Sequence, residues 1–421
     1  MTASRQQSEE SGSPAGPAAE EDSGLLSYPV ARECPFHPPA RYGQLQAEEP
    51  VAWVRFKEQP LWLVTSYEAA KQVLRDPRFS TDPAREGFPS GSTTPRPAPD
   101  PAKRRARAFL TMDEPEHGRY RRMLIPEFGA RRTETFRPRV EAMVDELLDR
   151  MTAQGQEADF VEAFALPLPS RVMCELLGID CTGADVFQEK SGIAMDPERE
   201  PEERIRAAGE FSSYLADVIA EKRVRPGDDL LSRLIEEQVG TGQLDAEQLC
   251  ATAMSLLIAG YETTGHMLAL ALVSMTQRPG LLDRLGKDAG FAAPAVEELL
   301  RFWTISHQGL YRTAAEDVEV HGRTIRAGQG VIVAVATAHR DPEVFDDPDA
   351  FDPGREPRAN LAFGYGAHRC LGEPLARLEL ETGLRRIAER LPTLRLRGEA
   401  AELPFRDKHY IYGLDKLPIT W

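Results

Sequence analysis

The stretch LAFGYGAHRCLGEPLAR, residues 361–377, sets glycines at 364, 366 and 372 around a single cysteine, Cys370. Phe363 lies seven residues before it and His368 two before. A thiolate is a strong, soft ligand for iron, and it keeps its charge only where a metal and nearby N–H donors hold it. Glycines at 366 and 372 would let backbone amides approach the sulfur, and Phe363 is placed to cover it from water. A helix that begins directly after the turn adds positive potential at its N-terminus. For a lone cysteine, however, an inert buried thiol in a glycine-rich turn is the ordinary alternative, so the rest of the chain has to decide.

The chain has 421 residues, 41% hydrophobic and 28% charged, which is ordinary globular composition and enough for a large core. A net charge of -16 argues against general binding to nucleic acid or to an anionic membrane. Five widely spaced cysteines without a C-x-x-C suggest neither a disulfide framework nor a zinc site, and fit a reducing cytoplasm. The N-terminus has no basic region followed by an apolar core, and the apolar run near AMSLLIAG reads as too short to span a bilayer. A soluble, cytoplasmic monomer is expected.

Residues 1–25 are rich in Ser, Gly, Pro, Ala and Glu, a composition that predicts a disordered tail. Residues 26–421 read as one compact domain, mostly α with small β-sheets. VAWVRF and LWLVTS predict strands, and YEAAKQVLRD a helix. The Pro- and Gly-rich stretch 85–109, with its KRRAR run, is either a linker or a lid over a site. From 114 to 275 the pattern is largely helical. Its last segment, AEQLCATAMSLLIAGYETTGHMLALALVSM, is apolar nearly all round, as a helix in the middle of a protein should be. AVEELLRFW predicts a further helix, and VEVHGRTIRAGQGVIVAVATAHRD alternates like strands joined by turns.

Several side chains in these segments need partners. Glu262 and Thr263 put an acid beside an alcohol within an apolar helix, where back-bonding and a buried arginine are the plain explanations. Glu298 and Arg301 share one helix face, three residues apart. His117 and Arg121 point the same way from one helix, and two inward cations need an anion.

The pattern F-G-x-G-x-H-x-C-x-G, filled by Phe363, Gly364, Gly366, His368, Cys370 and Gly372, resembles the haem-binding loop of the cytochrome P450 family. AGYETT at 259–264 is similar to that family's oxygen-activating helix, E298-x-x-R301 to its ion-paired motif, and FDPGR to the segment that supplies a third member, Arg355. The resemblance implies the P450 fold around a buried haem b, with Cys370 as the iron ligand. It also implies that His117, Arg121, Arg312 and His368 meet the propionates, and that Ala259, Gly260, Phe363, Gly364 and Gly372 lie against the cofactor. Glu262 and Thr263 would then deliver protons to dioxygen, and Glu298, Arg301 and Arg355 would be structural.

The reaction so implied is a monooxygenation, the insertion of one atom of O2 into a C–H or C=C bond of a mid-sized apolar molecule such as a secondary metabolite. Electrons would come from NAD(P)H through a reductase and a ferredoxin, which would dock near Arg119, Arg122 and Arg369. Ser255, Ile258, Ala259, Ser306, His307 and Gln308 are the expected pocket lining. Two alternatives stay open: a haem-thiolate oxidation without oxygen insertion, and a non-enzymatic haem sensor.

Overall fold

A computed structural model of the chain describes residues 24–90, 109–196, 199–356 and 360–421. Most of the expected tail, most of the 85–109 stretch and all of KRRAR therefore lie outside the described residues. The largest sheet among the described residues has six strands. Its strands are β1 (Ser27–Tyr28), β2 (Val51–Phe56), β3 (Gln59–Val64), β4 (Phe79–Ser80), β5 (Leu310–Ala314) and β6 (Gly330–Val333), in the spatial order β1-β2-β3-β6-β5-β4. β2 and β3 form an antiparallel pair in which Trp53 faces Trp62, with ring centroids 4.9 Å apart. β6 runs parallel to β3 and is buried along its whole length, which is why its sequence is a continuous apolar run. β5 pairs antiparallel with β6, and this register sets Arg312 opposite Val331.

The remaining body is helical. The helices that matter below are α1 (Tyr67–Arg75), α2 (Glu116–Phe128), α3 (Pro167–Leu177), α4 (Pro201–Val224), α5 (Ala246–Gln277), α6 (Ala292–Trp303) and α7 (Glu373–Arg390). α5 begins in a capping box: the Asp245 carboxylate accepts from the Gln248 N–H at 2.8 Å while the Gln248 side chain accepts from the Asp245 N–H at 2.9 Å. Neighbours α3, α4, α6 and α7 pack around it, so every face must be apolar, and Leu268 through Val273 have no exposed surface.

Three readings of the sequence change here. α5 spans 32 residues and is long and apolar enough to cross a bilayer by composition, contrary to the expectation of a run too short to do so; its apolar surface is instead buried at the centre of the protein. The segment after β6 does not stay extended, because Val335–Ala338 turns into a short helix. Within the region read as helical, Glu157–Asp159 is a strand that pairs with Pro418–Thr420 near the chain end.

Candidate active site

The middle of α5, the 361–372 loop, the start of α7, β5 and α2 enclose a cavity of about 470 Å³, inside the range of small-molecule sites. Cys370 is exposed only in the sense that it faces this space. Burial among protein atoms pushes its thiol up, while the N–H groups of Gly372 and Glu373 donate to the sulfur and pull the other way. The loop is pinned by the Cys370 N–H, which donates to the Phe363 carbonyl at 2.7 Å. Gly366 is at φ 75°, and a Cβ there would come 2.6 Å from the Leu74 carbonyl of α1. Gly372 is at φ -80°, with nothing within 4 Å of where its Cβ would be. The expectation that these two glycines admit amides to the sulfur holds for Gly372, whose own N–H donates to it, and is corrected for Gly366, which allows the loop to pack on α1.

His117, Arg121, Arg312 and His368 all face the same cavity. The imidazoles of His117 and His368 stack with centroids 3.9 Å apart. Burial lowers both, and it takes His368 down to about 3 with the help of His117 and Arg312. The Glu114 carboxylate, 3.4 Å from His117 Nδ1, pulls that imidazole the other way. Burial also lowers Arg121, and brings Arg312 to about 10. Arg312 donates to the Tyr311 carbonyl at 2.8 Å, and neither guanidinium has a carboxylate ion-pair partner among the described residues. A buried and a half-buried guanidinium, two stacked imidazoles and a thiol around an apolar slot fit a flat apolar macrocycle that carries a thiophilic metal and two carboxylates, which is haem.

Along α5, Ser255, Ala259, Gly260 and Thr263 line the cavity, at the spacing expected for one helix face. The Thr263 hydroxyl donates to the Ala259 carbonyl at 2.6 Å and Ser255 donates to Ala251 at 2.7 Å, so both oxygens keep lone pairs free. A Cβ on Gly260 would meet the Met173 sulfur at 2.5 Å, so this glycine also brings α3 close to α5. Glu262 points elsewhere. It lines a separate cavity of about 210 Å³, where Arg406 pairs with it at 2.9 Å and His266 Nε2 lies 3.9 Å away. Adjacent helix residues diverge by about 100°, and the acid and the alcohol accordingly open onto different spaces. Ile258 and Tyr261 share Glu262's cavity, which removes Ile258 from the expected pocket.

Ser306 lines the main cavity as expected, but His307 and Gln308 do not. His307 stacks on Tyr412, and its ring nitrogens contact Arg32 and the Asp407 carbonyl. Gln308 accepts from the Tyr311 hydroxyl at 3.0 Å. Both are committed to holding local backbone and side chains, the plainer of the two uses that polar residues in a turn can have. Phe88 and Leu110, which lie on either side of residues 91–108, do line the cavity.

The profile of the cytochrome P450 family matches residues 291–405. Cytochrome P450-SU2 of Streptomyces griseolus is 42% identical over 94% of this chain and 97% of its own length. Pentalenic acid synthase of Streptomyces avermitilis is also 42% identical, over 95% of this chain and 98% of its own. The chain belongs to the cytochrome P450 family. The crystal structure of the mycinamicin VIII C21 methyl hydroxylase of Micromonospora griseorubida, bound to mycinamicin VIII, superposes with a TM-score of 0.87 at 34% identity, covering 94% of this chain and 100% of that one. This P450 is a monooxygenase whose cofactor is haem iron, and the family implies electrons from NAD(P)H through ferredoxin-type partners.

Behind the haem loop of the P450 lies the Glu298, Arg301 and Arg355 cluster. Arg301 grips Glu298 with two bonds of 2.7 and 2.8 Å, and its remaining N–H groups reach the carbonyls of His339, Pro348 and Ala350. Arg355 Nε stands 3.6 Å from Glu298. His339, buried and held neutral by that burial, accepts the Leu361 N–H at 2.9 Å and contacts the Thr304 hydroxyl at 2.6 Å. The cluster is thereby tied to the first residue of the haem loop. Of the expected docking residues, Arg122 is exposed, Arg119 donates to the Gln243 carbonyl at 3.0 Å, and Arg369 is paired with Glu373 at 2.5 Å, which offsets its charge. The sequence reading missed Arg406 and Glu379. Nothing in the spacing of FRDKHYIYG marks Arg406, whereas Glu379 could have been found as an acid among the core-facing leucines of α7.

Proposed function

We propose that this P450 oxidises a mid-sized, largely apolar small molecule of secondary-metabolite type, working as a cytoplasmic monomer whose single haem domain covers residues 26–421. The observation that carries the reading is that Cys370 and Thr263 line one apolar cavity. Cys370 would hold the iron, and haem in thiolate ligation supplies the activation of O2 and the transfer of one oxygen atom to a C–H or C=C bond. His117, Arg121, Arg312 and His368 would hold the propionates. Thr263 keeps its lone pairs toward the reacting space because its hydrogen is given to Ala259, so it can accept and orient a hydrogen-bonded water there. Glu262 would draw protons from its side cavity and pass them around the helix edge toward Thr263. The methionine, leucine and isoleucine walls exclude bulk water and favour apolar ligands. The names of two relatives, a pentalenic acid synthase and a mycinamicin VIII methyl hydroxylase, support that substrate class. Reduction with carbon monoxide bound tests the site, since a thiolate-ligated haem gives a red-shifted Soret band. A compound panel read by the ferric Soret shift then finds the ligand, and product mass under labelled O2 separates insertion from other oxidations.

Thr263→Ala is expected to divert reducing equivalents from product to hydrogen peroxide, with product formation down by about 10²-fold, the lower end of what one placed proton-transfer group contributes. Peroxide and product are counted against NAD(P)H consumed; unchanged coupling would remove Thr263 from proton delivery. Arg122→Glu is expected to slow reduction by ferredoxin, with the loss shrinking at high salt and substrate affinity unmoved. Stopped-flow reduction rates at two ionic strengths check this, and an unaltered rate would take Arg122 out of the docking face.

A further inference from the structure

Ser255 lies on α5 four residues before Ala259 and eight before Thr263, which is about 6 and 12 Å along the helix axis. All three line the main cavity, and no charged side chain of α5 does. The Ser255 hydroxyl gives its hydrogen to the Ala251 carbonyl at 2.7 Å, so the oxygen has only lone pairs left to offer a ligand. Ligands of different chemistry then meet different outcomes. An alcohol donates to Ser255 while the bond to Ala251 survives, a gain of one hydrogen bond. A ketone has no hydrogen to give, so Ser255 must release Ala251 to reach it, and one bond replaces another. A hydrocarbon leaves the Ser255 lone pairs unpaired and away from water, in a cavity that Leu256, Ile305 and Ile411 also line. Ser306, the other serine of this cavity, draws no such distinction, because its hydroxyl has no hydrogen-bond partner among the described residues and is free to donate or accept.

We propose that Ser255 is a specificity-determining residue that accepts the hydroxyl hydrogen of a neutral alcohol and so holds the substrate for oxidation at a carbon remote from that hydroxyl. The inference rests on the reading that Cys370 and Thr263 border the reacting space, and it narrows the substrate of that reaction to an alcohol. The reacting space runs from Ala259 to Thr263, so the attacked carbon lies about 6–12 Å from the anchored oxygen, a separation that excludes the carbinol carbon. The product is a diol. One atom of O2 enters a C–H bond, the other leaves as water with two electrons from NAD(P)H and two protons, and the anchoring hydroxyl is unchanged.

The test uses the full chain loaded with haem and two sets of matched compounds, one rigid and one flexible: androstan-3-ol, androstan-3-one and androstane, and dodecan-1-ol, dodecan-2-one and dodecane. Dissociation constants are read from the ferric Soret shift. The alcohol of a set should bind about five- to tenfold more tightly than its ketone and hydrocarbon, the worth of one neutral hydrogen bond. Ser255→Ala, a substitution that suits a helix, should erase that margin. Ser255→Thr, which keeps a hydroxyl able to bond back to Ala251, should preserve the ranking, and so should Ser306→Ala. Androstan-3-ol should be oxygenated on ring C or D and not on ring A. Equal affinities within a set, an alcohol preference that survives Ser255→Ala, or oxidation at the carbinol carbon overturns the proposal. The failures stay apart: if hydrocarbons bind and are oxygenated as well as the alcohols, Ser255 is only a wall residue and the reading of the reacting space stands. If no compound of either set shifts the Soret band, the apolar-substrate reading fails and the inference falls with it.

Discussion

Cys370→Ser is expected to fold, bind substrate-sized ligands and produce almost nothing. The loop owes its shape to the Cys370 N–H bond to Phe363, to Gly364 and Gly366 at positive φ, and to packing on α1, none of which involves the sulfur. A serine hydroxyl is smaller, so it fits the same space, but it stays protonated under conditions in which a metal-bound thiol is a thiolate. The N–H groups of Gly372 and Glu373 can hold a charged sulfur, but they cannot make an alcohol into a comparable electron donor. Product formation should fall by at least about 10²- to 10³-fold, the scale on which removing one charge-stabilising group acts. The red-shifted ferrous–CO band should vanish, while the thermal midpoint stays near that of the parent. An inert buried thiol predicts the opposite, a small change in stability and none in turnover, so one variant with three measurements separates the two.

The parts of this site that follow from helix periodicity are legible in the amino-acid order itself. Ser255, Ala259 and Thr263 fall on one face because four residues make about one turn, and the same arithmetic puts His117 with Arg121. What the spacing does not convey is the partner on the other side. Glu262 is turned from the main cavity by its place in the helix, yet its companion Arg406 comes from a loop 144 residues later, through a contact that no local pattern encodes. His307 and Gln308 sit in a segment that does border the cavity, but whether a turn residue faces inward depends on the strand register after it, and β5 turns them toward the 407–412 segment. His117 shows the same limit: spacing gives its direction, whereas the burial that lowers its pKa involves His368, stacked on it from a segment distant in sequence.

Arg301→Leu carries the second large effect, in stability and not in chemistry. The guanidinium uses all five of its N–H groups, two on Glu298 and three on backbone carbonyls, at a site where both charged side chains are 4% exposed. A leucine fills similar volume but strands the Glu298 carboxylate, which would keep only the Asp352 N–H at 2.8 Å and Arg355 at 3.6 Å. Removing one partner of such a buried pair costs about 3–5 kcal/mol, because the remaining charge stays desolvated. The loss should not stay local. The His339 carbonyl that Arg301 holds belongs to the residue whose ring accepts the Leu361 N–H, so the start of the haem loop loses its anchor as well. The expected result is a lower thermal midpoint, poor haem loading, and a ferrous–CO spectrum shifted away from the thiolate form in whatever fraction does load. Arg301→Lys should be intermediate, since it keeps the charge but offers three donors on a point-like head in place of a planar fork. If Arg301→Leu melted like the parent and loaded haem fully, the cluster would not be what braces the loop, and the anchoring of Cys370 would have to come from α7 and α1 alone.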